Sequence, residues 1–262
     1  MILPHIKALI LDMDGVVWRG DRPIGDLAAI FRQLRQRGLQ FAFATNNSTK
    51  TSAQYVELLK RFDVEAEASQ VVTSAHAVGL AVARDFPSGT KVYMIGEDGI
   101  RQALEDRGFQ ILELASAGEA QAFVMGIDRG ITFDEVVEGS LLVRQGVPFY
   151  ATNLDKTFPT ARGEIPGSGA WVSVITTATG IQPIVAGKPF PYLMELSLER
   201  LGTKSAETLV VGDRLETDIA AGQAVGCPTA LVLSGVSTRE EAAGWYPPVD
   251  LIAADLAALI AA

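Results

Sequence analysis

Cysteine is almost missing from this chain. Cys227 is the single one in 262 residues, so no intramolecular disulfide can form. Only His5 and His76 supply imidazoles, and no Cys/His spacing suits a zinc ion. Cys227 itself reads as a small buried side chain. Basic residues are also scarce: 22 Lys and Arg stand against 31 Asp and Glu, a net charge of −9. That balance argues against a nucleic-acid backbone or an anionic membrane as partner. It does not exclude a small anionic ligand, because a bound cation inverts the local sign. No apolar run is long enough to span a membrane. The N-terminal apolar stretch is broken by His5, Lys7 and Asp12, which does not fit a signal peptide, so the expected location is the cytoplasm. Asn46-Asn47-Ser48 and Asn47-Ser48-Thr49 match the glycosylation pattern only by coincidence on that reading. Internal repeats and low-complexity segments are absent as well.

What is present is a globular composition, 48% hydrophobic and 20% charged. Short apolar runs recur at 7–12, 40–45, 91–96, 122–126, 148–153, 183–187, 208–213 and 229–234. Segments with helical spacing lie between many of them, at 26–38, 51–62, 133–146 and 192–202. This alternation predicts an α/β fold with parallel sheets and covering helices. The stretch NLDKTFPTARGEIPGSG, 153–169, is long for a plain connection and reads as a binding loop.

Four apolar runs end in residues of one chemical kind. The run at 7–12 delivers Asp12 and Asp14; the run at 40–45 delivers Thr45, Asn46, Asn47 and Ser48. The run at 183–187 leads into Lys188, and the run at 208–213 into Asp213, with Asp218 shortly after. Ligands of open parallel sheets bind outside the carboxyl ends of the strands, so these four ends can converge. Thr45 to Ser48 are expected at a helix start, where free N–H groups bind anions. Four carboxylates against one lysine leave a balance of −3. A phosphate dianion needs a divalent cation to enter such a site, and an all-oxygen donor set favours Mg²⁺ over zinc. Carboxylates, a cation, a lysine and anion-binding donors together describe phosphoryl transfer.

Taken singly, each element has a plain explanation: a turn, a helix cap, a solvated lysine, a connector. Their joint occurrence carries the inference. Gly187-Lys188 is followed by Pro189 and lacks the upstream glycine of a P-loop. Gly167-Ser168-Gly169 lacks the third glycine of a dinucleotide fingerprint and reads as a helix entry.

The set DMDGV, ATNNS, AGKPFP and GDRLETD resembles the four motifs of the haloacid dehalogenase-like superfamily, in its phosphatase branch. The long stretch between the second and third motifs is similar to the NagD-like, 4-nitrophenylphosphatase subfamily, with ATNLDKTFPTARGEIPGSGAW like its cap loop. The resemblance implies a Rossmann-like parallel-sheet core at 1–78 and 179–262 with an inserted α/β cap at 79–178. It implies Asp12 as nucleophile, forming an aspartyl-phosphate, and Asp14 as general acid and base. Asp12, the Asp14 carbonyl and Asp213 would bind magnesium (Mg²⁺), with Asp218 behind them. Thr45, Asn46 and Asn47 would hold phosphoryl oxygens, Lys188 would neutralise charge, and Asn153, Asp155 and Lys156 of the cap loop would meet the substrate. Trp18 would belong to a small flap. Asp14 favours phosphatase or phosphomutase over dehalogenase, since displacing halide needs no proton. The implied partner is a small phosphorylated metabolite, and similar proteins form homodimers through the cap. A phosphate-binding regulatory module with little turnover is the reading from another class.

Overall fold

The computed structural model describes residues 2–160 and 163–261. The chain forms two compact units: Met1–Thr45, Ser52–Val72 and Lys188–Ala262 in the first, Asn46–Thr51 and Thr73–Gly187 in the second.

The first unit is built on a six-stranded sheet. Its order is Leu251–Ala253, Thr229–Val232, Thr208–Gly212, Ala8–Leu11, Gln40–Thr45 and Val71–Thr73. The central strand Ala8–Leu11 is buried along its whole length and pairs in parallel with both neighbours. An apolar run of this kind is what a strand covered on both faces requires. Leu9 and Leu11 pack with Phe31, Phe41, Phe43, Leu209 and Val211 on one face. Phe31 lies 4.9 Å from Phe41 and 5.4 Å from Phe43, ring centre to ring centre. Each such buried side chain contributes about 1.5–3 kcal/mol of transfer free energy. Leu11 stands opposite both Val211 and Phe43. Three strands therefore end flush, with Asp12, Ala44 and Gly212 side by side. Helices Leu27–Gln36, capped by Asp26, and Tyr192–Leu201 match the periodic segments expected at 26–38 and 192–202.

The second unit has its own sheet, in the order Ile184–Val185, Phe149–Ala151, Ala122–Met125, Lys91–Ile95 and Gln110–Leu112, parallel throughout. Tyr93, Phe123 and Phe149 stack through its core, at 5.8 and 5.0 Å. Helices Ser74–Asp85, Asp98–Glu105, Phe133–Arg144 and Ser168–Thr179 complete it.

Three details depart from the sequence expectations. The run at 183–187 gives only the two-residue strand Ile184–Val185, and it belongs to the second sheet, paired with Phe149–Ala151. Lys188 is the first residue of the chain's return to the first unit. The helix expected at 51–62 spans Ser52–Lys60, but Thr45–Ser48 do not stand at its first turn: Asn47 Oδ1 takes up Thr49 N–H and Oγ1 at 3.0 and 2.8 Å in a local turn ahead of it. The long loop at 153–169 is in part an antiparallel hairpin, Thr157–Thr160 with Gly163–Pro166, and Gly167 precedes the next helix. Ala161 and Arg162 of that loop lie outside the described residues.

Candidate active site

In the first unit the carboxyl ends of the flush strands carry a buried charge cluster. Lys188 Nζ donates to Asp12 Oδ1 and Asp218 Oδ1, both at 2.6 Å, and to the Ala44 carbonyl at 2.9 Å. All three donor hydrogens of the ammonium are used. Lys188 is 3% exposed and Asp218 2%. Asp218 Oδ2 accepts the Arg214 N–H at 3.0 Å, so both of its oxygens are held. Asp213 Oδ2 accepts from Val236 N–H at 2.8 Å. Asp12, Asp213 and Asp218 each offer an oxygen within 4.8 Å of the others.

Glycines at 15, 212 and 235 let the backbone come this close; two of them show it. Gly15 turns with φ +85°, and a Cβ there would stand 2.4 Å from Asp213 Oδ2. A Cβ on Gly212 would stand 2.0 Å from Asp218 Cβ. Neither contact tolerates a side chain.

Burial raises the Asp12 carboxyl well above its usual range, and the Asp218 charge adds to it. Asp213 is pushed up to about 7, first by burial and then by the same charge. Burial alone would lower the Lys188 ammonium, but Asp12 and Asp218 outweigh it and raise it. One lysine does not balance three buried carboxylates. The donor set is all oxygen and short of positive charge, which fits a hard divalent cation. Among the described residues, Asp12 Oδ2 and Asp213 Oδ1 are carboxylate oxygens of the cluster to which no hydrogen bond is directed.

These shifts set a pH dependence. A carboxyl whose folded pKa is raised stabilises the fold below its unfolded pKa, about 3.9, and that contribution is lost as pH rises through the folded value. Lys188 stays charged over that range. In EDTA the melting temperature should fall between pH 5 and pH 8, and Mg²⁺ should raise it more at pH 8 than at pH 5. Thermal scans at both pH values, with and without Mg²⁺, check this; a flat profile would separate the cluster from stability.

Trp18 is expected in the flap, but its contact with Asp14, like the contacts of Tyr55 and of the loop that follows, carries no sequence signal. Trp18 Nε1 donates to Asp14 Oδ1 at 3.1 Å. The buried Tyr55 hydroxyl hydrogen-bonds the Thr45 side chain; burial, then the Asp14 charge, raises its pKa. The loop Ser234–Ser237 supplies Val236 N–H and Ser237 N–H to Asp213, and Ser234 Oγ to the Gly15 carbonyl at 2.6 Å. Only its position after the strand Thr229–Val232 could have pointed to it.

The remaining predicted residues lie in the second unit. Asn153, 4% exposed, donates Nδ2 to the Asn46 carbonyl at 2.7 Å. Asn46 Nδ2 faces both Asp155 oxygens at 3.4 and 3.3 Å, and Asp155 N–H donates to Asn153 Oδ1 at 3.0 Å. Asn46, Asn153 and Asp155 thus form one network, with Asn47 in the adjoining turn.

Residues 9–110 match the family model described as haloacid dehalogenase-like hydrolase, and residues 185–259 match a HAD-hydrolase-like model. The chain is 42% identical over 235 residues to the 5'-nucleotidase YutF of Bacillus subtilis, covering 89% of this chain and 90% of that protein. It is similar to the p-nitrophenyl phosphatase from Archaeoglobus fulgidus, with TM-score 0.89, 32% identity, and 98% and 99% of the two chains covered. It is also similar to the glycerol phosphate phosphatase Rv1692 from Mycobacterium tuberculosis in complex with magnesium, with TM-score 0.91, 32% identity, and 97% and 76% covered.

Proposed function

The chain belongs to the haloacid dehalogenase-like hydrolases, and from that membership we propose how its buried cluster works as the centre of a phosphoric monoester hydrolase. The protein is a Mg²⁺-dependent phosphatase of small phosphomonoesters. The observation that carries the assignment of residues is Lys188 bridging Asp12 and Asp218 at 2.6 Å beside Asp213.

Asp12 is assigned as nucleophile. A carboxylate oxygen attacks phosphorus, the ester P–O bond breaks, and Asp14 protonates the leaving oxygen. Asp14 then takes a proton from water as that water attacks the aspartyl-phosphate, which releases inorganic phosphate and restores Asp12. Lys188 offsets charge on Asp12 and on the transferred group. The Thr45 hydroxyl, with Asn46 and Asn47 next in the chain, is assigned to the phosphoryl oxygens. Asp12, the Asp14 carbonyl and Asp213 would hold Mg²⁺, and Asp218, with both oxygens occupied, orients Lys188. When bound, the cation supplies charge neutralisation for the phosphoryl group.

The second unit is assigned as the cap of such enzymes, and Asn153 and Asp155 as its substrate-recognising residues. Their relatives' names span nucleotides, 4-nitrophenyl phosphate and glycerol phosphate. Exposed Leu154, Val174, Ile181 and Ile184, the last on an edge strand, would suit a homodimer through this unit. A cytoplasmic location fits a small-metabolite substrate; among the described residues no helix is long and apolar enough to cross a membrane.

Hydrolysis of 4-nitrophenyl phosphate should require Mg²⁺ and stop in EDTA, and a phosphate-ester panel at fixed Mg²⁺ should then rank substrates. Tight phosphate binding without turnover on the whole panel would favour the regulatory module. Transfer to a second hydroxyl in place of phosphate release would favour a mutase.

A further inference from the structure

One loop of the first unit grips Asp213 from outside. Val236 N–H donates to its Oδ2 at 2.8 Å, and Ser237 N–H to its backbone carbonyl at 2.9 Å. Ser237 Oγ accepts the Leu215 N–H at 3.1 Å, at the start of the helical turn Leu215–Ile219 that carries Asp218. A Cβ on Gly235 would stand 1.8 Å from Asp213 Oδ2, so the loop backbone lies directly on the carboxylate. Where this loop goes, the carboxylate goes.

The loop is itself held by the short hairpin Trp18–Arg19 with Arg22–Pro23. The exposed Arg19 guanidinium donates to the Ser234 carbonyl and, at 3.3 Å, to the Gly235 carbonyl. The neighbouring Trp18 carbonyl accepts the Gly15 N–H at 2.7 Å. That N–H shares one planar peptide unit with the Asp14 carbonyl. Ser234 Oγ closes the ring by donating to the Gly15 carbonyl at 2.6 Å. A continuous path of hydrogen bonds thus joins the Asp14 peptide to the Asp213 carboxylate, through the hairpin and the loop.

We propose that Arg19 and Ser234 are positioning residues for the divalent cation: they set the spacing of the Asp14 carbonyl and Asp213, and through it the affinity for Mg²⁺. This rests on the reading above of those two groups as cation ligands. Each side chain acts through backbone, Arg19 on the loop and Ser234 on the Gly15 peptide. Spacing matters because Mg²⁺ demands near-ideal octahedral geometry. Losing a group that orients a metal ligand typically costs about 10–100-fold in affinity. The direction of the effect separates this role from a plain charge effect. Arg19 is a positive charge near a cation site, so on charge alone its removal should tighten Mg²⁺ binding. As a clasp, its removal should weaken it.

Calorimetric titration of the whole protein with MgCl₂ reads the affinity. The Mg²⁺ concentration for half-maximal 4-nitrophenyl phosphate hydrolysis is the second readout, and melting in EDTA shows that each variant is folded. Arg19→Ala and Ser234→Ala should each raise the Mg²⁺ dissociation constant about tenfold, and excess Mg²⁺ should restore turnover. Arg19→Lys, which still donates to a carbonyl, should bind Mg²⁺ more tightly than Arg19→Ala. Arg22→Ala removes the same charge from the position opposite Arg19 on the hairpin, and should leave the constant unchanged or lower it. Unchanged or tighter binding in Arg19→Ala or Ser234→Ala, or an equal loss in Arg22→Ala, would overturn the proposal while the phosphatase reading stands. A wild type that binds Mg²⁺ and hydrolyses no phosphate ester would instead sink that reading and leave the clasp in place.

Discussion

Asp12→Asn should give a protein that melts at a higher temperature than the wild type in EDTA and hydrolyses almost nothing. The side chain keeps its size and loses its charge. The raised carboxyl of Asp12 means that its surroundings, burial first and the Asp218 charge next, disfavour the anion at neutral pH. A neutral amide removes that penalty, and Lys188 keeps its bonds to Asp218 and to the Ala44 carbonyl. Activity moves the other way, because the amide cannot form the aspartyl-phosphate. The loss expected for a missing nucleophile is about 10⁴-fold or more in kcat. Stability and activity trade against each other here at one residue. Turnover of 4-nitrophenyl phosphate and a melting curve, on the same preparation, test both halves. Activity within tenfold of wild type would mean that another group attacks phosphorus.

Lys188→Met should cost both properties at once. The methionine fills much of the same volume but leaves Asp12 and Asp218 facing each other without the cation that bridges them. Removing one partner of a buried ion pair typically costs about 3–5 kcal/mol. The cost should be largest near pH 8 and shrink toward pH 5, as the stranded carboxyls take up protons in the folded state. Activity should fall about 10³-fold, since the transferred group loses a preorganised counter-charge. Urea unfolding at the two pH values, with kcat measured at each, reads the effect. A variant as stable as the wild type at pH 8 would show that the lysine contributes nothing to holding the cluster.

Much of this arrangement was legible in the sequence, for a physical reason. A strand buried on both faces must be apolar along its length, so a carboxylate directly after it stands out. Asp12 and Asp213 were visible in that way. Lys188 was reached through a strand that proves to belong to the other sheet. Its position is fixed by the chain's re-entry at residue 188, which no local pattern encodes. Val71–Thr73 was invisible because three residues carry too little periodicity. The Trp18–Asp14 bond and the Ser234–Ser237 loop escaped because both are set by tertiary approach, through a tight turn at Gly15 and a backbone N–H on Asp213. The helix read at 51–62 is there, at Ser52–Lys60, but the Thr45–Ser48 cluster lies in a turn ahead of it, because the Asn47 side chain offers the backbone a competing hydrogen bond.

The strand order has a further consequence, for synthesis on the ribosome. Ala8–Leu11 emerges early and can pair with Gln40–Thr45, yet its other edge waits for Thr208–Gly212. Roughly 200 residues separate the two, about 10–40 s of elongation at about 5–20 residues per second. Over that interval the most apolar strand of the sheet has an open edge, the kind of surface that recruits chaperones or a neighbouring nascent chain. The second unit, nearly contiguous in sequence, can complete its own sheet meanwhile. The acidic cluster is therefore assembled last, from residues at opposite ends of translation. A message cut anywhere before the codon for Asp218 yields a chain that lacks part of the centre.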